Sequence, residues 1–130
     1  MNFECIIYEK SQGIATIKLN RPRVLNAMNK QLWLDFQAAL ADAGKDSSIK
    51  VLVVTGEGRA FSTGADLKES KTRTPEAYRE YLEELQEASR KIIRFEKPTI
   101  AAIRGLAFGG GLELAVCCDL LVVEENARLC

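Results

Sequence analysis

The spacing of apolar residues predicts an alternating series of strands and helices along this chain. The predicted strands are 3–9, 14–19, 49–56, 99–103 and 120–123. The first two are rich in β-branched residues, and Ser11-Gln12-Gly13 between them suits a hairpin turn. The later strands are continuous apolar runs, which is typical of parallel strands that are covered on both faces.

Helical spacing of apolar residues predicts three helices, at about 30–43, 76–95 and 110–117. Asn29 can cap the start of the first helix, and Gly44 is expected to end it. Pro75 is expected to open the second helix, and Pro98 to end it. The apolar stripe predicted for the second helix consists of Tyr78, Tyr81, Leu82, Leu85, Ala88, Ile92 and Ile93.

The resulting order, ββ-α-β-α-β-α-β, predicts an α/β fold with crossover connections in a single domain, 1–130. A long polar loop with several glycines follows the strand that ends at Gly56. No covering helix follows the strand at 120–123, so we expect it to be an exposed edge. Either another chain covers this edge, or the chain is cut short.

Composition narrows the functional classes. Apolar residues make up 47% of the chain and charged residues 28%, as in ordinary globular proteins. The 18 basic residues balance the 18 acidic residues, which argues against general binding to nucleic acids or membrane surfaces. The start of the sequence does not have the pattern of a secretory signal, and no apolar run is long enough for a membrane span.

The cysteine and histidine content excludes several kinds of site. The chain has no histidine, so Ser-His-Asp triads, Cys-His dyads and zinc fingers are excluded within it. The four cysteines form no C-x-x-C pair and are simplest to interpret as small core residues in a reducing compartment, the cytoplasm or an organelle matrix. No metal or redox cofactor is implied.

Two glycine-rich loops, Gly56–Asp66 and Gly105–Gly111, each follow a predicted buried strand and precede a helix. Backbone N–H groups point outward at a helix start. Two such loops side by side could offer two N–H groups to one carbonyl oxygen, which is an oxyanion hole. Phosphate favours the same donors, but neither loop matches a phosphate-binding motif. A structural explanation also exists, since single glycines usually serve tight turns and close packing.

Glu113 follows three consecutive glycines and is surrounded in sequence by apolar residues. We therefore expect it to be buried, which is costly for a carboxylate that is neither paired nor protonated. Beside an oxyanion hole it could act as a general base or acid. The alternative is a surface residue that interacts with the helix dipole. Asp66 is expected to cap a turn at 67–70, and Asp119 to tie down a helix–strand corner, with no catalytic role for either.

Three stretches together resemble the enoyl-CoA hydratase/isomerase family, also called crotonases. They are NRPRVLNAMN (20–29), KVLVVTGEGRAFSTGADLKE (50–69) and KPTIAAIRGLAFGGGLELAVCCDL (97–120). The resemblance runs from about residue 6 to residue 130, with the motifs in the right order and spacing. One departure is Arg104, where asparagine is frequent in the family.

The resemblance implies a crotonase-like spiral of repeated β-β-α units, which usually assembles into trimers or paired trimers. It also implies an acyl-CoA thioester substrate whose enolate is stabilised by two backbone N–H groups. By motif, those donors are Ala65 and Gly110, and Glu113 matches the first catalytic glutamate of the hydratases. Coenzyme A enters as part of the substrate. The positions that the resemblance assigns to coenzyme A binding are Arg23, Val24, Leu25, Ala65, Asp66, Leu67 and Lys68.

Hydratases of this family use a second glutamate about twenty residues after the first, which would fall just past Cys130. The sequence therefore resembles the N-terminal half of a crotonase, without the C-terminal helices that build the trimer. We expect hydration of a 2-enoyl-CoA, with weak or no activity in this chain. The alternatives are isomerisation, decarboxylation or thioester hydrolysis, an inactive fragment, or a subunit that completes its site with another chain.

Overall fold

The computed structural model describes all 130 residues. Its strands are β1 Ile6–Ser11, β2 Ile14–Leu19, β3 Val51–Gly56, β4 Ala60–Ser62, β5 Thr99–Ile103, β6 Leu106–Ala107, β7 Leu120–Val123 and β8 Arg128–Leu129. Its helices are α1 Lys30–Lys45, α2 Leu67–Thr72, α3 Pro75–Ile93 and α4 Gly110–Val116, with a 3₁₀ turn at Pro22–Val24. None of these helices combines the length and apolar character needed to cross a membrane.

The strands form two sheets. The larger has the order β1-β2-β3-β5-β7, in which only the β1–β2 hairpin is antiparallel. The smaller has the order β4-β6-β8 and is parallel throughout. Gln12 and Gly13 both have positive φ at the hairpin turn, as a two-residue turn of this kind requires. The predicted α/β architecture is confirmed.

One unit repeats along the chain. Each of β3, β5 and β7 adds a strand to the larger sheet, and the short strand that follows adds one to the smaller sheet. Helices then return the chain to the start of the next unit. This is the expected spiral of β-β-α units. The short strands and α2 were not predicted as elements, because two or three residues are too few to show a period.

The core lies between the larger sheet and α1, and α3 packs on α1. The α1 side chains Trp33 and Phe36 are fully buried and meet edge to face, with ring centroids 6.4 Å apart. Alternate residues of β2, Ala15, Ile17 and Leu19, are also fully buried. Asn29 caps α1 as expected, since its side-chain oxygen accepts a hydrogen bond from the N–H of Leu32 at 2.8 Å.

Three expectations about the helices are wrong. Gly44 does not end α1, which continues to Lys45. The second long helix, α3, ends at Ile93, five residues before Pro98, and not at the proline. Its predicted apolar stripe is also too wide, because α3 packs mainly on α1 at the outside of the molecule. Among its apolar side chains, Tyr81, Ala88 and Ile92 are buried, whereas Tyr78, Leu82 and Ile93 are exposed.

The strand β7 is the exposed edge that the sequence predicts. Leu120, Leu121, Val122 and Val123 are all exposed, at 42–62% of their full accessible area. Only β5 pairs with β7. Four consecutive exposed apolar side chains on an edge strand are unusual for an isolated domain, because such an edge favours association.

Asp119 joins the starts of two neighbouring strands, as expected. Its carboxylate accepts hydrogen bonds from the N–H and the hydroxyl of Thr99, at 2.9 and 3.1 Å. The Thr99 hydroxyl oxygen in turn accepts from the N–H of Asp119 at 2.8 Å. Thr99 is buried, so its donors have no access to water in place of Asp119.

We predict that Asp119→Ala lowers the free energy of unfolding by about 1–2 kcal/mol, because it leaves buried donors of Thr99 without an acceptor. Urea denaturation measures the change. The double variant with Thr99→Val serves as control and should lose less than the sum of the two single changes. If the losses of the two single variants simply add up in the double variant, the proposed coupling between Asp119 and Thr99 is wrong.

Candidate active site

The smaller sheet holds the two glycine loops side by side. Strand β4 lies in the first loop and β6 in the second, and the two strands pair in parallel. Beyond the paired residues, the N–H of Phe108 donates to the carbonyl of Ser62 at 3.0 Å. The predicted juxtaposition of the two loops is therefore present in the structure.

Ala65 presents an N–H group that makes no hydrogen bond within the chain. Its neighbours are held by Met28: the N–H of Met28 donates to Gly64 at 2.7 Å, and the N–H of Asp66 donates to Met28 at 3.1 Å. In such a parallel bridge, the N–H of the middle residue points away from the partner strand. The Ala65 N–H is thus fixed in direction and free to bind another group.

Gly110 is the first residue of α4, so its N–H has no acceptor within the helix, and it makes no other hydrogen bond. A methyl group built on Gly110 would lie 3.7 Å from the Cα of Gly64 and 4.0 Å from the backbone nitrogen of Ala65. Ala65 and Gly110, the two donors expected from the sequence, therefore lie close together in space, and neither N–H has an acceptor within the chain. Such an arrangement can stabilise negative charge on one oxygen.

The structure gives a different explanation for glycine at each of the three consecutive positions. Gly109 has φ +52° and ψ −123°, a backbone conformation that favours glycine. Gly111 packs against β4 so closely that a Cβ atom would collide with the backbone carbonyl of Ser62. At Gly110 a methyl would meet only ordinary contacts, but it would stand beside the two free N–H groups. The purely structural explanation thus accounts for Gly109 and Gly111, and not for Gly110.

Glu113 lies on α4 one turn after Gly110, and its N–H donates to Gly109 at 3.0 Å. Its side chain is exposed, so the expectation that it is buried is wrong. The buried face of this short helix belongs to Gly111, Leu114 and Ala115. A residue three positions after Gly110 lies on nearly the same face of the helix as Gly110 itself. Its carboxylate is therefore available to a molecule bound at the loops.

The segment that contains Arg23, Val24 and Leu25 runs beside the first glycine loop. The N–H of Thr63 donates to the carbonyl of Leu25 at 3.1 Å. Leu25 has φ +53°, and Arg23 and Val24 are exposed on the 3₁₀ turn. The structure thus joins Leu25 to Thr63, which connects the two stretches that the resemblance assigns to coenzyme A.

Asp66 caps α2 by accepting hydrogen bonds from the N–H groups of Lys68 and Glu69, at 3.0 and 3.2 Å. This confirms the predicted cap. Its other oxygen pairs with Arg21 at 2.8 Å. Burial alone would raise the pKa of Asp66, but the Arg21 guanidinium and the two N–H donors lower it below its usual range. Asp66 is thus an ionised structural residue, whereas the neighbouring side chains Leu67 and Lys68 are exposed.

Sequence reasoning missed the buried polar residues that support the loops. The Asn26 side chain is fully buried and donates to the carbonyls of Glu57 and Ala60, at 2.9 and 2.8 Å. The Ser62 hydroxyl donates to the carbonyl of Asn26 at 2.8 Å and accepts from the N–H of Gly64 at 3.1 Å. The clue in the sequence was an asparagine inside a motif next to apolar residues, since a buried amide needs several partners.

Comparison with known proteins agrees with this geometry. The family model for enoyl-CoA hydratase/isomerase matches residues 9–130. The chain belongs to the enoyl-CoA hydratase/isomerase family. A crotonyl-CoA hydratase of Syntrophomonas wolfei is 38% identical over 129 residues, which are 98% of this chain and 50% of that protein.

Solved structures of family members share the fold. An enoyl-CoA hydratase from Bacillus anthracis superposes with a TM-score of 0.93 at 31% identity, over 97% of this chain and 50% of that one. An enoyl-CoA hydratase/isomerase from Xanthobacter autotrophicus gives 0.92 at 36% identity, over 98% of this chain and 49% of that one. The fold is thus the crotonase fold, and this family member spans about half the length of the relatives that it matches.

The glycines yield a matched pair of variants. We predict that Gly111→Ala lowers the free energy of unfolding by about 1–3 kcal/mol, because the added methyl collides with the backbone of β4. Gly110→Ala should change it by less than about 0.5 kcal/mol, because its methyl meets only ordinary contacts. Urea denaturation of both variants measures the difference. Equal destabilisation would contradict the distinct roles assigned to these glycines.

The ion pair of Asp66 with Arg21 predicts a pH dependence of stability. The folded-state pKa of Asp66 is lowered, so its stabilising effect is present above the unfolded pKa of about 3.9 and is lost as the pH falls through the folded value. Asp66→Asn should therefore be less stable than the parent at pH 7, and the gap should shrink below about pH 4. Thermal unfolding at pH 3 to 7 measures it, and a constant gap would contradict the assignment.

Proposed function

We propose that this chain binds a 2-enoyl-CoA thioester and that its site serves the addition of water across the α,β double bond. The observation that supports the proposal is that the N–H groups of Ala65 and Gly110 lie close together and have no acceptor within the chain. A thioester oxygen between them would accept two hydrogen bonds, and these strengthen as negative charge develops on it. The hydratase names of the relatives support the same reaction.

In the proposed reaction, the Glu113 carboxylate takes a proton from a water molecule, and the oxygen of that water bonds to the β-carbon of the substrate. The electron pair of the double bond shifts to a new double bond between the α-carbon and the thioester carbon, and the carbonyl pair moves onto its oxygen. The N–H groups of Ala65 and Gly110 would hold this enolate oxygen. The α-carbon then receives the proton that Glu113 took from the water, which regenerates the carboxylate, and the carbonyl re-forms. The product is the 3-hydroxyacyl thioester. No metal or redox cofactor takes part in this scheme.

Coenzyme A would lie along the junction of the two segments described above. The exposed cations Arg23 and Lys68 would attract its phosphates, and a shallow depression lined by residues 20–24 lies at the 3₁₀ turn. Main-chain atoms of Ala65 to Lys68, with Val24 and Leu25, would provide the remaining contacts. The family's trimeric or paired-trimeric assembly is part of the proposal for the complete enzyme.

A second carboxylate would share the water with Glu113 in this proposal. Glu113 is the only carboxylate on α4, and its exposed position leaves the water open to solvent on one side. Water that is held by one group is oriented less well, and orientation can be worth several orders of magnitude in rate. We therefore propose that this chain by itself hydrates slowly, and that the second acid comes from another polypeptide segment.

The test is hydration of crotonyl-CoA by the purified chain, followed by the loss of thioester-conjugation absorbance. We expect slow turnover that falls about 100-fold, or to the detection limit, in Glu113→Gln, because the general base is lost. Gly110→Ala should reduce turnover similarly while leaving the fold intact, since its methyl would lie 4.0 Å from the Ala65 nitrogen, beside the two donors. Glu83→Gln, a change at an exposed glutamate of α3, is the matched control.

Binding is measured separately, by isothermal titration with a saturated acyl-CoA that cannot be hydrated. Retained binding in Glu113→Gln with loss of turnover supports the role of Glu113 as base. Absence of any thioester binding by the folded parent chain would overturn the proposed substrate. Equal turnover in the parent and in Glu113→Gln would overturn the proposed mechanism.

A further inference from the structure

A groove of about 450 Å³ lies between the carboxyl-terminal ends of α1 and α3. Leu40, Gly44 and Phe95 form an apolar floor. A methyl group on Gly44 would lie 3.4 Å from the Phe95 ring, so glycine at this position keeps the floor open. The volume falls within the range of small-molecule sites, which are usually apolar concavities with a few polar groups.

The rim of this groove is strongly cationic, with five basic and two acidic side chains among the lining residues. Arg90 is paired with Glu87 at 2.9 Å. In contrast, the side chains of Lys45 and Arg94 form neither an ion pair nor a hydrogen bond. Two cations without partners beside an apolar floor are complementary to an anion that has an apolar tail.

Cations near helix carboxyl ends often serve the helix dipole, so that role must be separated from ligand binding. Here Lys97 fills it for α1: its ammonium donates to the carbonyls of Ala43 and Asp46, at 2.6 and 2.7 Å. The charge of Lys45 is therefore not needed to satisfy the carbonyl groups at the end of α1, and the Arg94 side chain donates to none of those at the end of α3. Both charges remain available to a bound anion.

We propose that this groove is a binding site for a small amphipathic carboxylate, whose alkyl chain packs on Leu40 and Phe95 and whose carboxylate lies between Lys45 and Arg94. The site is separate from the glycine loops. Those loops follow the carboxyl ends of β3 and β5, whereas α1 and α3 lead into the amino ends of the same strands. A six-residue strand separates the two sites by roughly 20 Å. The proposal does not rest on the proposed hydration.

The experiment is a titration of the ¹⁵N-labelled chain with sodium octanoate, monitored by ¹H–¹⁵N correlation spectra. We expect saturable shifts at the amides of Gly44 and Phe95. Lys45→Ala or Arg94→Ala should each weaken binding by about threefold to fivefold, the usual effect of one partly exposed ion pair. 1-Octanol, which has the chain but no charge, should bind less tightly than octanoate.

Two further variants complete the test. Gly44→Leu fills the groove from its floor and should abolish the shifts, while its spectrum reports whether the chain is folded. Arg79→Ala removes another cation of α3 that does not line the groove and should leave octanoate affinity unchanged. Shifts confined to Ala65 and Gly110, equal affinity for octanol, or unchanged affinity in Arg94→Ala would each overturn the proposal.

Discussion

The pairing of β4 with β6 is the constraint on which the site depends. An unpaired N–H is useful only if its direction is fixed and nothing else in the chain satisfies it. Both conditions are met here: β4 and β6 hold the two loops side by side, Met28 binds the residues on either side of Ala65, and the N–H groups of Ala65 and Gly110 stay free. The absent side chain of Gly111 lets α4 approach β4 closely enough to bring the second donor to the first.

Buried polar residues hold the first glycine loop in place from the interior of the protein. Asn26 and Ser62 connect the segment that carries Leu25 to both ends of the first glycine loop, and Arg21 links the same segment to the cap of α2 through Asp66. These residues form a hydrogen-bonded layer under the loops rather than a surface for substrate. Such a layer limits the movement of the donors, which is what electrostatic preorganisation requires.

Much of this could be read from the sequence, because the long strands and helices have a clear period and the glycine loops follow buried strands. The short strands β4, β6 and β8 could not, since their pairing depends on partners far along the chain. The burial of Glu113 was wrongly predicted for a similar reason: Leu114 and Ala115 face β4 and the core, whereas Glu113 and Val116 are exposed, and which side is covered depends on where β4 packs. The support from Asn26 also needed the folded partners to be visible.

The repeating unit has a consequence for how the fold ends. Because each β-β-α unit adds one strand to each sheet, the architecture behaves like a short solenoid that grows by similar steps. Nothing in such a step limits the number of units, so the last one needs a cap of different chemistry. In this structure, β7 pairs only with β5 and its apolar side chains are exposed. Its open edge makes it the part of the larger sheet most suited to template another strand.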